Sequence, residues 1–365
     1  MIFINQSVDW QINRRPDYFL SRANHDKSMF LALRDIAYAR GRFALMTAVV
    51  GFITLLLVIL SGLTGGLSKQ NTSALEALDP AGVVFSSDEP SFSDSQADRD
   101  FAADYPGATA LGVSQTRIAS GEEAGTVAVM GLPEGSLVPG TETPVKSGQL
   151  QLSETAAEDV VTSAGEMLQV GGEDARVAGT VPDEFYSHSP VAWTTTETWR
   201  AVAHAPQDVV GTVLLTEDAD APGAVSLKDA LGGLASYQSE RGSLQTMQGF
   251  LYAISALVTV AFLSVWTIQR TRDLSILRAL GADGYYLRRD ALGQAAVVLG
   301  LGTVLGAVVG WGLGEAAAQA LPFELSINTV LVPAVGIWLL GLAGAALATR
   351  KVSRTDPMLA LGGAA

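Results

Sequence analysis

Four long apolar stretches constrain this chain more than any other feature of its sequence. Each is close to the roughly 20 residues of helix that cross a bilayer, and none carries a charge at its centre. Four such runs with strongly polar flanks argue against a soluble protein with apolar core helices. The sequence therefore predicts four transmembrane helices, at residues 43–66, 250–268, 291–314 and 330–348.

The third apolar stretch is rich in glycine. Gly302, Gly306 and Gly310 recur at every fourth position. A ladder of small residues with this spacing lets two membrane helices approach closely. We therefore expect the glycine face of the third span to pack against another helix.

Basic residues predict the orientation of the spans, because cytoplasmic loops carry an excess of Lys and Arg. They cluster before the first span, between the second and third, and after the fourth: Arg34, Arg40, Arg42, Arg270, Arg272, Arg278, Arg288, Arg289, Arg350, Lys351 and Arg354. The short loop 315–329 has none. Both termini and the middle loop are predicted to be cytoplasmic in a plasma-membrane protein. The first span is then an uncleaved signal anchor, and the polar residues 1–28 are assigned no function.

This orientation places the large segment Lys69–Ser243 outside the cell. It holds 27 acidic residues against 8 basic ones, a balance that suits a soluble domain at a cell surface. The same balance argues against binding to nucleic acid or to anionic lipid surfaces. Short strand-like runs alternate with a helix for which Ser153 is a plausible N-cap. The predicted fold is therefore a four-helix membrane protein with an inserted α+β extracytoplasmic domain. The strand-like runs are Val83–Phe85, Thr126–Met130, Met167–Val170, Arg176–Val181, Val191–Thr195 and Val209–Leu215.

Catalytic chemistry is not indicated. The chain has no Cys, and its three His residues (His25, His188 and His204) are widely separated, so thiolate or His-based metal and proton-transfer sites are not expected. Serine nucleophile motifs are also missing, and Asp183-Glu184 fits a solvated turn better than an acid/base pair. There is no G-x-x-x-x-G-K-[ST] phosphate loop, so this chain is not expected to bind ATP by that route.

The cytoplasmic segments carry two amphipathic patterns. Residues 29–42 predict a helix that rests at the membrane interface, or simply a basic flank of the first span. The loop Thr267–Ala282 has apolar residues at helical spacing among its arginines, and Gly281 stands where a helix would end. A short amphipathic helix there must bury its apolar side, and a partner's groove is one place for it.

This loop resembles the R-x-x-E-I-x-x-L-R-A-x-G-A signature of FtsX-like permeases in the MacB-type class of ABC transporters, with Asp273 where glutamate is usual. The four-span layout, the large first outside segment and the tail Arg354–Leu361 are similar as well. The resemblance implies a MacB-type permease homodimer, each copy contacting one separate ATPase subunit. It also implies that the loop couples the permease to that ATPase, through Arg272, Leu274, Ile276, Leu277, Arg278 and Gly281.

Two further stretches, Ser61–Asn71 and Gly232–Glu240, resemble the haem-exporting permeases of Gram-positive bacteria. If the second stretch begins a helix, Tyr237, Glu240 and Met247 fall near one face of it. Tyr oxygen and Met sulfur are known ligands of haem iron, and Arg241 or Lys69 could pair with the propionates. Glu76 is a weaker candidate. The alternative is that Tyr237 and Arg241 are ordinary interfacial anchors and Met247 is packing.

Three functions therefore stay open. The first is export of haem from the membrane, with haem as substrate and no permanently bound cofactor. The second is export of an antimicrobial peptide or other amphiphile by the same mechanism. The third is a permease that transports nothing and transmits ATPase motion to an extracellular partner. The predicted segments are the polar extension 1–28, the amphipathic helix 29–42, the first span 43–66, the extracytoplasmic domain 67–249, the second span 250–268, the coupling loop 269–290, the third span 291–314, the short outside loop 315–329, the fourth span 330–348 and the tail 349–365.

Overall fold

The computed structural model describes residues 40–269 and 284–352. In chain order its helices are α1 (Arg40–Leu78), α2 (Arg99–Ala103), α3 (Glu154–Asp159), α4 (Thr196–Val202), α5 (Leu227–Ala230), α6 (Ala235–Gln269), α7 (Gly284–Ala317) and α8 (Ile327–Val352). The strands are β1 (Gly82–Val84), β2 (Ala97–Asp98), β3 (Thr109–Ser120), β4 (Glu123–Leu132), β5 (Gln149–Ser153), β6 (Met167–Val170), β7 (Glu173–Val181), β8 (Phe185–Tyr186), β9 (Ser189–Thr195), β10 (Val209–Gly211), β11 (Val213–Thr216) and β12 (Ala224–Val225).

Four of the described helices, α1, α6, α7 and α8, are long and apolar enough to cross a membrane. A strand-rich domain lies between the first two of them in the chain, so the predicted architecture is confirmed. Two helices are longer than the apolar stretches that predicted them. α1 continues to Leu78 and α6 begins at Ala235. Polar side chains in the two extensions hydrogen-bond to one another, Asn71 to Glu240 and Ser236 to Asn71.

The described residues form two compact units. The first unit takes the described parts of Met1–Leu56, Leu251–Val309 and Leu331–Ala365. In it two glycines of the predicted ladder, Gly302 and Gly306, pack closely against another helix. A Cβ on Gly302 would lie 2.9 Å from the carbonyl oxygen of Thr47, and one on Gly306 would collide with the carbonyl oxygen of Gly51. Glycine at these two positions therefore lets α7 contact α1 backbone to backbone.

The second unit, Leu57–Phe250 with Gly310–Val330, contains the sheet. Its strand order is β12-β1-β11-β3-β4-β9-β5-β7-β6, and β6 pairs again with β3. Strands β3, β4, β9, β5, β7 and β6 thus form a closed circuit of hydrogen-bonded neighbours. The β4–β9 and β5–β7 pairs are parallel, and the other pairs are antiparallel. Outside the circuit, the strands of this sheet that have a single partner are the two-residue strands β12 and β8, and edges this short limit pairing with other chains.

Apolar residues of the circuit form a core with the indole of Trp199 on α4. A Cβ on Gly112 or Gly131 would collide with this side chain, so glycine on β3 and β4 makes room for it. A second cluster, around Trp193 and Met130, includes Leu75 from α1. The end of α1 is therefore part of the core of the second unit.

Several local predictions for this domain are confirmed. The Ser153 hydroxyl caps α3 by accepting a hydrogen bond from the backbone of Ala156, and β6 has the predicted bounds. One prediction is wrong, because Val209–Leu215 forms two strands rather than one. The Thr212 hydroxyl accepts from the Val113 backbone at 2.8 Å, and at this residue the chain passes from pairing with β2 to pairing with β3.

Candidate functional site

Three separate segments of the second unit meet around the side chain of Asn71, which is completely buried near the C-terminal end of α1. Its amide nitrogen donates to the Leu67 carbonyl and to Glu240 Oε2, each at 3.0 Å. Its oxygen accepts from the Ser236 hydroxyl at 2.7 Å. The amide therefore joins α1 to the first turns of α6, and both of its hydrogens are used.

The third segment is the tip of the β8–β9 hairpin, Ser187-His188. His188 Nε2 lies 2.7 Å from Glu240 Oε1, and Nδ1 lies 3.4 Å from the side-chain oxygen of Gln70. The backbone N–H groups of Ser187 and His188 donate to the carbonyls of Asn71 and Gln70, at 3.1 and 2.8 Å. The hairpin tip is thereby fastened to α1 through its backbone and to α6 through its imidazole.

The backbone of this tip is left-handed. Ser187 and His188 have φ values of 48° and 65°, in the left-handed region that non-glycine residues rarely adopt. The two residues are the central pair of the two-residue turn between β8 and β9, where positive φ at both positions is the favoured hairpin geometry. Their backbone hydrogen bonds to α1 also support this conformation.

His188 is the site residue that sequence reasoning missed. It is 52 positions from Glu240 and 117 from Asn71 in the chain, and no local motif marks it. His204 is not part of this cluster. Its Nε2 lies 3.1 Å from the Gly171 carbonyl oxygen. Within the part of the chain that the structure describes, no group of three or more His, Asp or Glu side chains is placed to hold a metal ion.

Tyr237 and Arg241 form a pair on successive turns of α6. The guanidinium carbon lies 5.6 Å from the centre of the phenol ring, and Nη1 donates to the phenol oxygen at 3.2 Å. Both side chains are half-buried, and the Tyr237 ring packs against the core cluster that contains Trp193. Tyr237 and Glu240 are three residues apart, a rise of about 4.5 Å along the helix.

The other predicted ligands lie farther away. Met247 is 54% exposed and ten residues from Tyr237, a rise of about 15 Å. The two side chains of one copy therefore cannot ligate the same iron, and Met247 is a candidate only for contact with the macrocycle. Glu76 is exposed and accepts from the Thr72 hydroxyl in its own helix at 2.7 Å.

The glycine-rich end of the first span has a structural role. A Cβ on Gly62 would collide with the ring of Phe323, and one on Gly66 with the Pro322 carbonyl. These glycines seat the segment between α7 and α8 against α1. Lys69, a predicted propionate partner, pairs instead with Glu324 at 3.4 Å.

The predicted coupling residues lie outside the described residues. This applies to Arg272, Leu274, Ile276, Leu277, Arg278 and Gly281, and to most of the amphipathic helix 29–42. Their role remains a prediction from the sequence.

Comparison with known proteins gives the class. Residues 246–357 match the profile of the family described as FtsX-like permease C-terminal. The chain is 27% identical to the "Putative hemin transport system permease protein HrtB" of Staphylococcus haemolyticus. The alignment covers 92% of this chain and 99% of that protein. An HrtB of the same description from Staphylococcus epidermidis is 24% identical with the same coverage. An uncharacterised ABC transporter permease of Mycobacterium tuberculosis is also 24% identical, over 92% of this chain and 99% of its own.

Among solved structures, the extracellular domain of the noncanonic ABC-type transporter YknZ from Gram-positive bacteria matches with a TM-score of 0.29 and 13% identity. It covers 38% of this chain and 84% of that one.

Four helices long and apolar enough to cross a membrane, with a sheet domain inserted after the first, are an architecture that a membrane permease can have. The C-terminal part of the chain is an FtsX-like permease domain, and the chain is a permease subunit of the ABC transporter class.

Proposed function

We propose that this permease exports haem, or a closely similar porphyrin, as its substrate. The observation that carries the proposal is the placement of Tyr237, Glu240 and Arg241 on adjoining turns of one helix, beside the apolar span. A phenol oxygen is a known ligand of haem iron, a carboxylate can ligate or orient it, and a guanidinium binds carboxylates such as the propionates. The names of the staphylococcal relatives support the same cargo.

The contacts among these residues define what each would do. Arg241 now donates to the phenol of Tyr237, so ligation by the phenol oxygen would release the guanidinium to a propionate. Glu240 accepts one bond on each oxygen, from His188 and from Asn71. A carboxylate oxygen has room for a second partner, so Glu240 can meet the cargo while these neighbours keep it in position, as supporting residues do around ligating carboxylates.

Two copies of the permease and two copies of a separate ATPase complete the proposed complex. α6 is the least buried span, with 11% of its apolar window covered against 28–39% in the other three. Four of its exposed large apolar residues recur at alternating spacings of three and four: Met247, Phe250, Ile254 and Leu257. This spacing forms the seam of paired helices, which supports a second copy at α6. Both termini and the loop 269–290, where the ATPase would act, are proposed to be cytoplasmic.

The test is a haem titration of the purified chain with its ATPase, followed in the Soret band. We expect a spectral shift that is lost or strongly reduced in Tyr237→Phe and Glu240→Gln. Tyr105→Phe, a half-buried tyrosine after α2, is the matched control and should behave as the native chain does. The absence of any shift would refute haem as cargo and leave the permease class untouched. ATPase stimulation by an amphiphilic peptide instead of haem would favour the second function.

A further inference from the structure

A cleft of about 220 Å³ opens on the second unit at the point where α1 ends. It shares no lining residue with the site around Asn71. Leu132 and Leu215 line it and belong to the buried core of the sheet domain. Leu78 and Pro80 add apolar surface from the end of α1 and the residues that follow it. The floor of the cleft is therefore apolar.

The loop between β4 and β5 supplies two more lining residues, Ser136 and Leu137. The Val138 N–H donates to the Thr143 carbonyl at 2.8 Å, and the Val145 N–H donates to the Ser136 carbonyl at 2.9 Å. Val138 and Val145 are also buried in the same core, whereas Leu137 is 57% exposed. A well-anchored loop thus presents an exposed leucine at a cleft that is formed before any ligand arrives, as ligand sites usually are.

Three polar side chains line the cleft as well: Thr109, Ser136 and Glu217. Among the residues that the structure describes, none of the three side chains has a hydrogen-bond or ion-pair partner. In ligand sites a few polar groups of this kind fix the orientation of an apolar body. Hydroxyl and carboxylate oxygens all accept hydrogen bonds, so the complementary ligand is a donor.

The cleft carries negative charge. Glu217 is the one charged residue among the described residues that line it. The last turn of α1, which ends at Leu78, contains no basic residue, and the C-terminal end of a helix carries a partial negative charge. Hard metal ions prefer several oxygen ligands, whereas this cleft offers a single carboxylate and an apolar floor. An organic cation matches both features.

We propose that the cleft binds a small organic ammonium ion. Its N–H groups match three acceptors, which are the Glu217 carboxylate and the hydroxyls of Thr109 and Ser136, and its short apolar chain lies on the leucines. A volume of about 220 Å³ is below the roughly 300–1,000 Å³ of pockets for drug-sized ligands. A porphyrin is too large for such a cleft, and Glu217 would repel its propionates. The proposal therefore does not depend on the identity of the cargo.

A titration of the full chain in lipid nanodiscs with butylammonium tests this, followed by saturation-transfer NMR at about pH 7, where such an amine is protonated. Empty nanodiscs give the contribution of the lipid. Two probes of the same chain length separate charge from apolar contact, because 1-butanol is neutral and butanoate is negative. We expect saturable binding of butylammonium, binding of 1-butanol weaker by on the order of tenfold, and no saturable binding of butanoate.

Three variants locate the site. Glu217→Gln should weaken butylammonium binding by on the order of tenfold, because a hydrogen bond to a charged group is lost. Ser136→Ala should weaken it by a smaller factor, since its hydroxyl is neutral. Glu173→Gln is the matched control, because this carboxylate on β7 is exposed and does not line the cleft. It should bind butylammonium as the native chain does.

Two results would overturn the proposal directly. Equal binding of butylammonium and 1-butanol would show an apolar surface without a cation site. An equal loss in Glu217→Gln and Glu173→Gln would show general attraction to an acidic domain. Thermal unfolding establishes whether Glu217→Gln is folded. If it is not, Ser136→Ala decides, and native affinity in that variant would refute the site.

Discussion

The ammonium of Lys69 lies 3.4 Å from the carboxylate of Glu324 and links the C-terminal part of α1 to the segment between α7 and α8. The lysine side chain is 58% exposed, and ion pairs this open to water contribute only about 0–1 kcal/mol. The backbone is the firmer link, because the Glu324 N–H donates to the Gly62 carbonyl at 2.9 Å. Close packing and backbone hydrogen bonding at the glycines of α1, more than the ion pair, therefore hold the segment between α7 and α8 in place.

Gly66→Ala should therefore destabilise the protein. The added Cβ would collide with the Pro322 carbonyl, and overpacking of this kind costs about 1–3 kcal/mol. Gly312→Ala is the control, because a Cβ there meets nothing within 4 Å and alanine favours a helix by about 0.5–1 kcal/mol. Thermal unfolding in detergent should give a lower midpoint for the first variant and an equal or higher one for the second. Equal midpoints for both variants would mean that the segment between α7 and α8 moves aside without any loss of stability.

The stability of the sheet domain should fall at alkaline pH because of Tyr186. Burial of this side chain, 7% exposed at the hairpin beside Phe92, raises the pKa of its phenol well above the ordinary value. The unfolded phenol ionises at about pH 10, so the native state loses stability as pH rises from there towards the folded pKa. Tyr186→Phe should flatten the fall in urea midpoint between about pH 9 and pH 11. At about pH 7, where the phenol is neutral in both states, the variant gives the reference midpoint. A native chain with no such fall would contradict the prediction.

The spans were predictable because each depends on a local property, the length of an apolar run. The glycine ladder was predictable for a similar reason, since small residues four apart lie on one helix face whatever the partner helix is. The C-terminal turns of α1 and the N-terminal turns of α6 were not predictable. Asn71 and Glu240 belong to helical turns whose polar side chains are satisfied by tertiary contacts, and no periodicity in the sequence reports those contacts.

The candidate site likewise has one part that the sequence predicts and one part that it does not. Tyr237 and Arg241 are four residues apart, so a helix alone brings them together. His188 reaches Glu240 only because β8 pairs with β9 and the tip between them takes a left-handed backbone. Serine and histidine do not signal that conformation as glycine would. From a single sequence, the part of the site on α6 can therefore be predicted, and the part on the β8–β9 hairpin cannot.

A symmetric contact through α6 predicts cross-linking of a single cysteine. The chain has no cysteine of its own, so the only thiol of the permease that Leu257→Cys, 69% exposed on the proposed seam, can bond to is its counterpart in another copy, and a disulfide dimer of the permease's size identifies that product. Leu305→Cys on α7 is similarly open at 55% exposed, lies off the proposed seam and serves as the control. Oxidation in native membranes should give a disulfide dimer for the first and monomer for the second. Equal dimer yields would indicate random collision, and no dimer for Leu257→Cys would place the seam elsewhere.

Replacement of Leu277 by Asp should uncouple the permease from its ATPase. The sequence predicts an amphipathic helix whose apolar side carries Leu274, Ile276, Leu277 and Leu280, and a charge on that side would be buried without a partner in the ATPase groove. Stimulation of ATP hydrolysis should fall close to the basal rate while membrane insertion stays normal. Ser275→Asp is the control, because at 100° per residue it points away from the apolar side and should retain stimulation. Normal stimulation in Leu277→Asp would show that force enters the permease at another surface.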